Sequence, residues 1–314
     1  KGRGMARALR ALLALDILAL AAAAWALRHG GASWPVAVGA PLLALLVLDL
    51  ALVGAAWALS RRYACAIPED SAVSRVATIR AFFAEFLATE ALGRLSMPFD
   101  RLVMGPDRRG AGARRGPPVL LIHGYLCNRG FWWWMRGKLE EAGHTVATVT
   151  LEPVFGDIDA YAEGVRERID QLIAETGAAR VVVVGHSMGG LACRAYLRRF
   201  GAERVARLIT LGTPHGGTRL ARLGRGLNAG QMRHASDWLG ALGAAACPVP
   251  VTAVWSTHDT IVAPQDNGRL RGAREIVLGG LGHMAMAFSP RILAILLDEL
   301  DREAQTPPAP ARGA

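Results

Sequence analysis

The run Val181-Val182-Val183-Val184, followed at once by Gly185-His186-Ser187-Met188-Gly189-Gly190, constrains this chain more than any other feature. Four β-branched residues specify a strand, and Leu191 to Leu197 resumes with apolar residues at helical spacing. A strand must therefore turn directly into a helix across a Gly-x-Ser-x-Gly string. Such a turn strains the backbone, the flanking glycines make it sterically feasible, and it holds the Ser187 hydroxyl above the carboxyl end of a sheet. Short glycine–serine strings arise by chance in a chain with 36 glycines, so the strand before and the helix after are what make this one specific.

From 118 onward, short β-branched runs alternate with helical stretches. Strands are predicted over 118–122, 145–150, 180–184 and 205–211, and helices over 130–142, 157–176 and 188–200. Strands near 250–256 and 274–278 and a helix near 288–303 complete the series. Successive βαβ units imply an α/β fold, a mainly parallel sheet with helices on both faces. Between 211 and 250 the strand pattern lapses into a stretch rich in Gly, Leu and Arg. An insertion over about 218–247 at the carboxyl edge would act as a lid, with Leu220, Leu223, Leu227, Trp238, Leu239 and Leu242 as its apolar faces. The Pro- and Ala-rich end, 306–314, is expected to be disordered.

A serine hydroxyl is a weak nucleophile that needs a base, an acid to orient that base, and backbone donors for the oxyanion. After an elbow of this kind the order is Ser, acid, His. Asp259 follows the strand ending at Trp255, and His283 follows the last strand in Gly282-His283-Met284; both fall in strand-end loops, where open parallel sheets place their ligands. Asp266 is the rival acid, and His215 and His258 are the rival bases. His123-Gly124-Tyr125 follows the Val119–Ile122 strand, and a tight turn there would aim the Tyr125 N–H to act with the Met188 N–H as the oxyanion hole. His123 itself is expected to be a structural hydrogen-bonding residue. Phe131-Trp132-Trp133-Trp134 would line an acyl pocket, dip into lipid, or pack a helix on the sheet. No metal or cofactor is required.

These segments, with Leu211-Gly212-Thr213-Pro214-His215-Gly216 and Trp255-Ser256-Thr257-His258-Asp259, resemble in their order the α/β-hydrolase superfamily and, within it, the bacterial triacylglycerol lipase and esterase branch. The likeness spans about 118–303 and does not extend to residues 1–100. It implies an α/β-hydrolase fold with a triad of Ser187, Asp259 and His283, acting through an acyl-enzyme on lipid-like acyl esters. The same triad serves thioester hydrolysis, acyl transfer or peptide hydrolysis on one scaffold. A non-catalytic membrane scaffold is the reading from another class, and the intact Ser, Asp and His set argues against it.

Many members of that branch are secreted, but the N-terminus here points to a membrane. Within 1–62, two apolar stretches at about 9–27 and 35–59 read as a transmembrane helical hairpin joined at Arg28 to Ser33. A cleaved signal peptide ending near Ala21 to Ala24 is the rival reading of the first stretch. Lys1, Arg3, Arg7 and Arg10 of the N-terminal tail and Arg61-Arg62 after the second stretch put both ends, and so the catalytic domain at 101–305, on the cytoplasmic side of a bacterial inner membrane. Asp16 and Asp49 lie at matching depths, about 20 Å from the loop at ~1.5 Å per residue. They are expected to face each other, as two neutral carboxyls bonded together, a shared-proton pair or a partner-binding point. The 63–100 segment is a linker with an amphipathic helix over 70–95 starting at Asp70-Ser71, lying in the membrane interface or capping the catalytic domain.

A net charge of +10 invites a nucleic-acid partner, but no recognition motif accompanies it, and attraction to anionic lipid is the more economical account. Arg108-Arg109 and Arg114-Arg115 in a Gly-rich loop are read as solvated. Four widely spaced cysteines signal neither a disulfide framework nor a zinc site.

Overall fold

The four valines form the middle of a sheet, as their branching requires. In the computed structural model, which describes residues 4–107 and 115–305, six strands lie in the order β2-β1-β3-β4-β5-β6, every neighbouring pair parallel. The expected tail at 306–314, Lys1 and Arg3, and the loop residues Arg108, Arg109 and Arg114 lie outside the described residues. The strands are β1 (Val119–Ile122), β2 (Val146–Val149), β3 (Val181–His186), β4 (Val205–Leu211), β5 (Val251–Ser256) and β6 (Arg274–Leu278). The chain runs outward from β1 to β2 and returns past β1 to β3. The crevice where the direction of winding reverses thus opens between the carboxyl ends of β1 and β3, beside His123 and Ser187.

The strands are apolar throughout because both faces are covered. Leu120, Ile122, Val181 and Val183 pack with α6 (Ile158–Thr176) and α7 (Met188–Phe200). Val119, Leu121, Val182 and Val184 pack with α5 (Trp133–Glu141) and α10 (Pro290–Gln305). Helix α6 starts where the Asp157 carboxylate caps the Asp159 N–H at 2.9 Å, and it stops at Gly177, whose φ of 69° an L side chain tolerates poorly.

Two acids of α10, Glu299 and Glu303, are buried on that side of the core. Glu299 has no solvent exposure and accepts hydrogen bonds from Thr252 Oγ1 at 2.5 Å and Arg207 Nη1 at 3.1 Å, with Arg274 also paired to it. Removing Glu299 would leave Arg207 with Glu303 alone and Thr252 Oγ1 without its buried acceptor. Glu299→Ala should therefore cost about 1–3 kcal/mol of stability, and an unchanged thermal midpoint would contradict that account.

The N-terminal helices are longer than expected: α1 (Gly4–His29) and α2 (Trp34–Arg62) form an antiparallel pair, both long and apolar enough to cross a membrane. Asp16 and Asp49 do not bond to each other as anticipated. Arg94 stands between them, its Nη1 2.6 Å from Asp16 and its Nη2 2.5 Å from Asp49, while its Nε meets Glu90 at 2.5 Å. A guanidinium presents donors in a rigid fork and can hold several carboxylates at once. The residue that does so is 45 positions from Asp49 in sequence, too far for helical spacing to reveal.

The helix expected over 70–95 is divided. A 3-10 turn at Glu69–Ser71 precedes α3 (Arg75–Ala91), whose true cap is Ser74, accepting from the Ala77 N–H at 3.2 Å; a π-helical turn at Leu92–Ser96 carries Arg94, and the short α4 (Asp100–Met104) follows. Helix α3 has two apolar sides. Val76, Ile79, Phe83 and Leu87 are exposed, while Ala81, Phe86 and Ala88 are buried against the domain and the Phe82 ring meets Trp57 of α2 edge-on at 5.7 Å.

Both ends of the helix pair rest on loops that leave the carboxyl edge of the sheet. Gly4 N donates to Glu152 Oε1 at 2.7 Å in the loop after β2, and Arg61 Nη1 donates to the Thr257 carbonyl at 3.2 Å after β5.

Candidate active site

Strand β3 ends at His186, and Ser187 takes φ 54° and ψ −127° before α7 begins at Met188. A non-glycine residue at positive φ is strained and persists only where its surroundings hold it. Here the Ser187 N–H donates to the Leu211 carbonyl at 2.8 Å, and its own carbonyl accepts from Gly190 N at 3.1 Å. Two close approaches explain nearby glycines. At Gly189 a Cβ would run into the Ile122 and His123 carbonyls, and at Gly124 it would lie 2.7 Å from Ser187 Cβ. The Gly124-Tyr125 backbone therefore passes beside the serine, with Met188 following it directly on the other side.

Asp259 and His283, 24 residues apart, come together: His283 Nδ1 lies 2.8 Å from Asp259 Oδ2, and both side chains are buried. The other carboxylate oxygen of Asp259 accepts the N–H groups of Ile261 at 2.8 Å and Val262 at 2.7 Å, which fixes the carboxylate plane. Burial disfavours the charged imidazolium of His283. The neighbouring Asp259, aided by Glu85, outweighs it and holds the His283 pKa above the ordinary 6.5. The His283 ring lies 4.5 Å from that of His186, and the His186 ring nitrogen Nε2 donates to the His283 carbonyl at 3.2 Å. His283 thus packs against the residue that precedes Ser187. Gly212 clears the space between them, since a Cβ there would sit 3.0 Å from Asp259 Oδ2 and 3.2 Å from His283 Nδ1.

The rivals are elsewhere. Asp266 is exposed. His215 bridges Arg194 at 3.2 Å and Thr210 at 3.1 Å in the interior, and His258 accepts from Gly280 N at 3.1 Å. His123 is spent on structure: Nδ1 donates to the Gly124 carbonyl at 2.8 Å, Nε2 accepts from Leu151 N at 3.0 Å, and burial lowers its pKa to about 4, so it stays neutral. Of the aromatic run, Phe131 and Trp132 are fully buried, Phe131 stacking on His186 at 4.2 Å, while Trp133 is half exposed against Phe288.

The insertion, read as a lid over about 218–247, carries its apolar residues in two settings. Its second half is anchored: Leu239 and Leu242 of α9 (Asp237–Gly243) are 5% exposed, and Trp238 Nε1 donates to Asp159 of α6 at 2.8 Å. The first half is also tied down, the buried Asn228 side chain of α8 (Leu227–Gln231) donating to the Val154 carbonyl at 2.9 Å, but two of its leucines stay exposed at the rim. Leu223 and Leu227 are 74% and 67% exposed, and Tyr125 Oη donates to the Arg225 carbonyl at 2.9 Å. Alternation of apolar and polar residues could not separate these halves, because both carry leucines at similar spacing.

One residue at the site was not anticipated, Glu85. The carboxylate of Glu85, on α3, is buried beside His283 and accepts from Thr260, Met284 and Ala285. The available signal was an acid set in the otherwise apolar run Ala81-Phe82-Phe83-Ala84-Glu85-Phe86-Leu87.

Residues 117–233 match a family model described as the alpha/beta hydrolase fold. A triacylglycerol lipase of Pseudarthrobacter phenanthrenivorans is 32% identical over 112 residues, 33% of this chain and 35% of that protein. One from Burkholderia plantarii is also 32% identical over 112 residues, 33% of this chain and 31% of that protein. The chain thus spans about a third of the length of the curated relatives it matches. Among solved structures, the mature lipase BlEst2 of Bacillus licheniformis superposes with a TM-score of 0.55 at 17% identity, covering 60% of this chain and 94% of that one. At that identity the likeness is one of fold.

Proposed function

We propose, from the premise that this chain is a member of the α/β-hydrolase superfamily, that it is a membrane-anchored serine carboxylic ester hydrolase acting on lipid-like acyl esters. The observation that carries the reading is the buried Asp259–His283 pair at 2.8 Å, at the same sheet edge as a serine in a strained turn. Because Nδ1 of His283 is committed to Asp259, Nε2 is left to take the Ser187 proton as the hydroxyl attacks the ester carbonyl. The backbone N–H groups of Tyr125 and Met188 would receive the developing oxyanion. His283 then passes its proton to the leaving alcohol, and water, deprotonated by the same imidazole, releases the acid from Ser187.

The lipid part of the reading draws support from the helix pair resting on the carboxyl edge of the sheet and from the exposed Leu223 and Leu227 beside Tyr125. With α1 and α2 in the bilayer and their basic ends inside, the site would face the cytoplasmic leaflet. A panel of p-nitrophenyl esters of increasing chain length tests the substrate class. Activity should rise from acetate to long acyl chains, and Leu223→Ala with Leu227→Ala should lower it on long chains by about 10-fold while sparing acetate. Equal loss on both would remove the acyl-binding role.

The raised pKa of His283 carries a sign. The base works only when neutral, so kcat/KM should fall as pH drops through a midpoint above 6.5. A pH profile with its acid limb well below that value would contradict the assignment of the base.

A further inference from the structure

We propose that Glu85 is a positioning residue for this reaction, its carboxylate tying the loop that carries Asp259 to the loop that carries His283. The inference rests on the triad assigned above and deepens it. Glu85 belongs to α3, outside the sheet, and is 2% exposed. Its Oε1 accepts from Thr260 Oγ1 at 2.5 Å and from Met284 N at 3.1 Å, and its Oε2 accepts from Ala285 N at 2.8 Å. Thr260 adjoins Asp259, and Met284 adjoins His283. On the other side of His283, Gly282 leaves the room the carboxylate fills, since a Cβ there would collide with it. One side chain thus grips both loops within a residue of each member of the Asp–His pair.

Packing does not call for an acid at this place. The neighbouring inward positions of α3 are Ala81, Phe86 and Ala88, and among the described residues no lysine or arginine pairs with Glu85. Burying a carboxylate without a counter-cation is costly. Three donors aimed at its two oxygens offset that cost, and the ionised form satisfies all three at once. Burial holds the Glu85 pKa above the ordinary carboxylate value, and the hydrogen bonds from Thr260, Ala285 and Met284 oppose this in part.

The charge also acts on the base. The titratable groups that face His283 are Asp259 from the loop after β5, His186 at the end of β3 and Glu85 from α3. A negative Glu85 favours the imidazolium, so removing the charge should lower the His283 pKa.

The test uses the full chain in detergent micelles. In Glu85→Gln the amide accepts on one side, presents N–H groups to a donor on the other, and carries no charge. The acid limb of kcat/KM should move down by about 0.5–1 pH unit, and kcat above that limb should fall about 10-fold, with KM for a short ester nearly unchanged. Thr260→Val leaves the carboxylate in place and cuts one tie, so kcat should fall; because the lost hydrogen bond also helps hold the Glu85 pKa down, the acid limb should move in the same direction as in Glu85→Gln and by less. The His283 imidazole, titrated by NMR and assigned with His283→Ala, should show the same downward shift in Glu85→Gln without any substrate. An unmoved imidazole titration in Glu85→Gln and Glu85→Ala overturns the proposal, whether activity is kept or is lost with thermal stability. A wild type that hydrolyses no ester while its imidazole shift is intact would instead remove the reaction and leave the Glu85–His283 coupling standing.

Discussion

Ser187→Ala is expected to abolish ester hydrolysis, with kcat falling by about 10⁴- to 10⁶-fold, and to end covalent labelling by a fluorophosphonate. The turn at Ser187 is held by backbone contacts, its N–H to Leu211 and its carbonyl to Gly190, and by glycines at 124 and 189 that have no room for a side chain. Alanine in place of serine removes one oxygen and leaves those contacts alone, so the variant should fold and melt like the parent. The loss would then be chemical. Asp259→Asn should be less severe than Ser187→Ala, because an amide can still meet His283 but selects the wrong imidazole tautomer and cannot stabilise its charge. Labelling that persists in Ser187→Ala would mean another nucleophile, and the assigned reaction would fail. Asp266→Asn, at an exposed position, should change little; if it were the damaging substitution and Asp259→Asn the mild one, the acid would be misassigned.

Removing residues 1–62 should move the protein from the carbonate-resistant membrane fraction to one that carbonate or high salt extracts. The two helices carry long unbroken apolar surfaces: Leu12, Leu15, Ile17 and Leu18 on α1 and Leu42, Leu43, Val47 and Leu52 on α2 are all exposed in the folded chain. Spans of this length insert in a way that a surface helix does not match. Helix α3 keeps Val76, Ile79, Phe83 and Leu87 on its outer side, so the shortened protein should still bind vesicles, reversibly. The deletion also strands Arg94 without Asp16 and Asp49, leaving it Glu90 at the end of α3. A truncated chain that stays in the carbonate-resistant pellet would put the anchor in α3 instead.

The architecture was largely legible in the sequence because its signals are local. Strands β4 and β6 and helix α7 lie where residue type and periodicity put them, and the other sheet elements differ by one to a few residues at their ends. A run of β-branched residues, a cap or a glycine stop acts within one turn or one strand, so reading along the chain recovers it. The resemblance carried by the segments around Ser187, Asp259 and His283 pointed to the same fold that the family match and the superposition support.

What tertiary structure alone decided is which side chain answers which. Asp16 and Asp49 announced buried or membrane-facing charge, but their partner, Arg94, comes from a π-helical turn after α3. Trp238 and Leu242 share the apolar spacing of Leu223 and Leu227, yet the first pair closes onto α6 and α7 while the second stays at the rim. Glu85 looked like one acid in an apolar helix until folding set it between Thr260 and Met284, 175 and 199 residues away. Hydrophobic pattern reports that a face must be covered and charge reports that a group must be compensated. Neither encodes the identity of the covering or compensating group, because that contact is formed by the path of the whole chain.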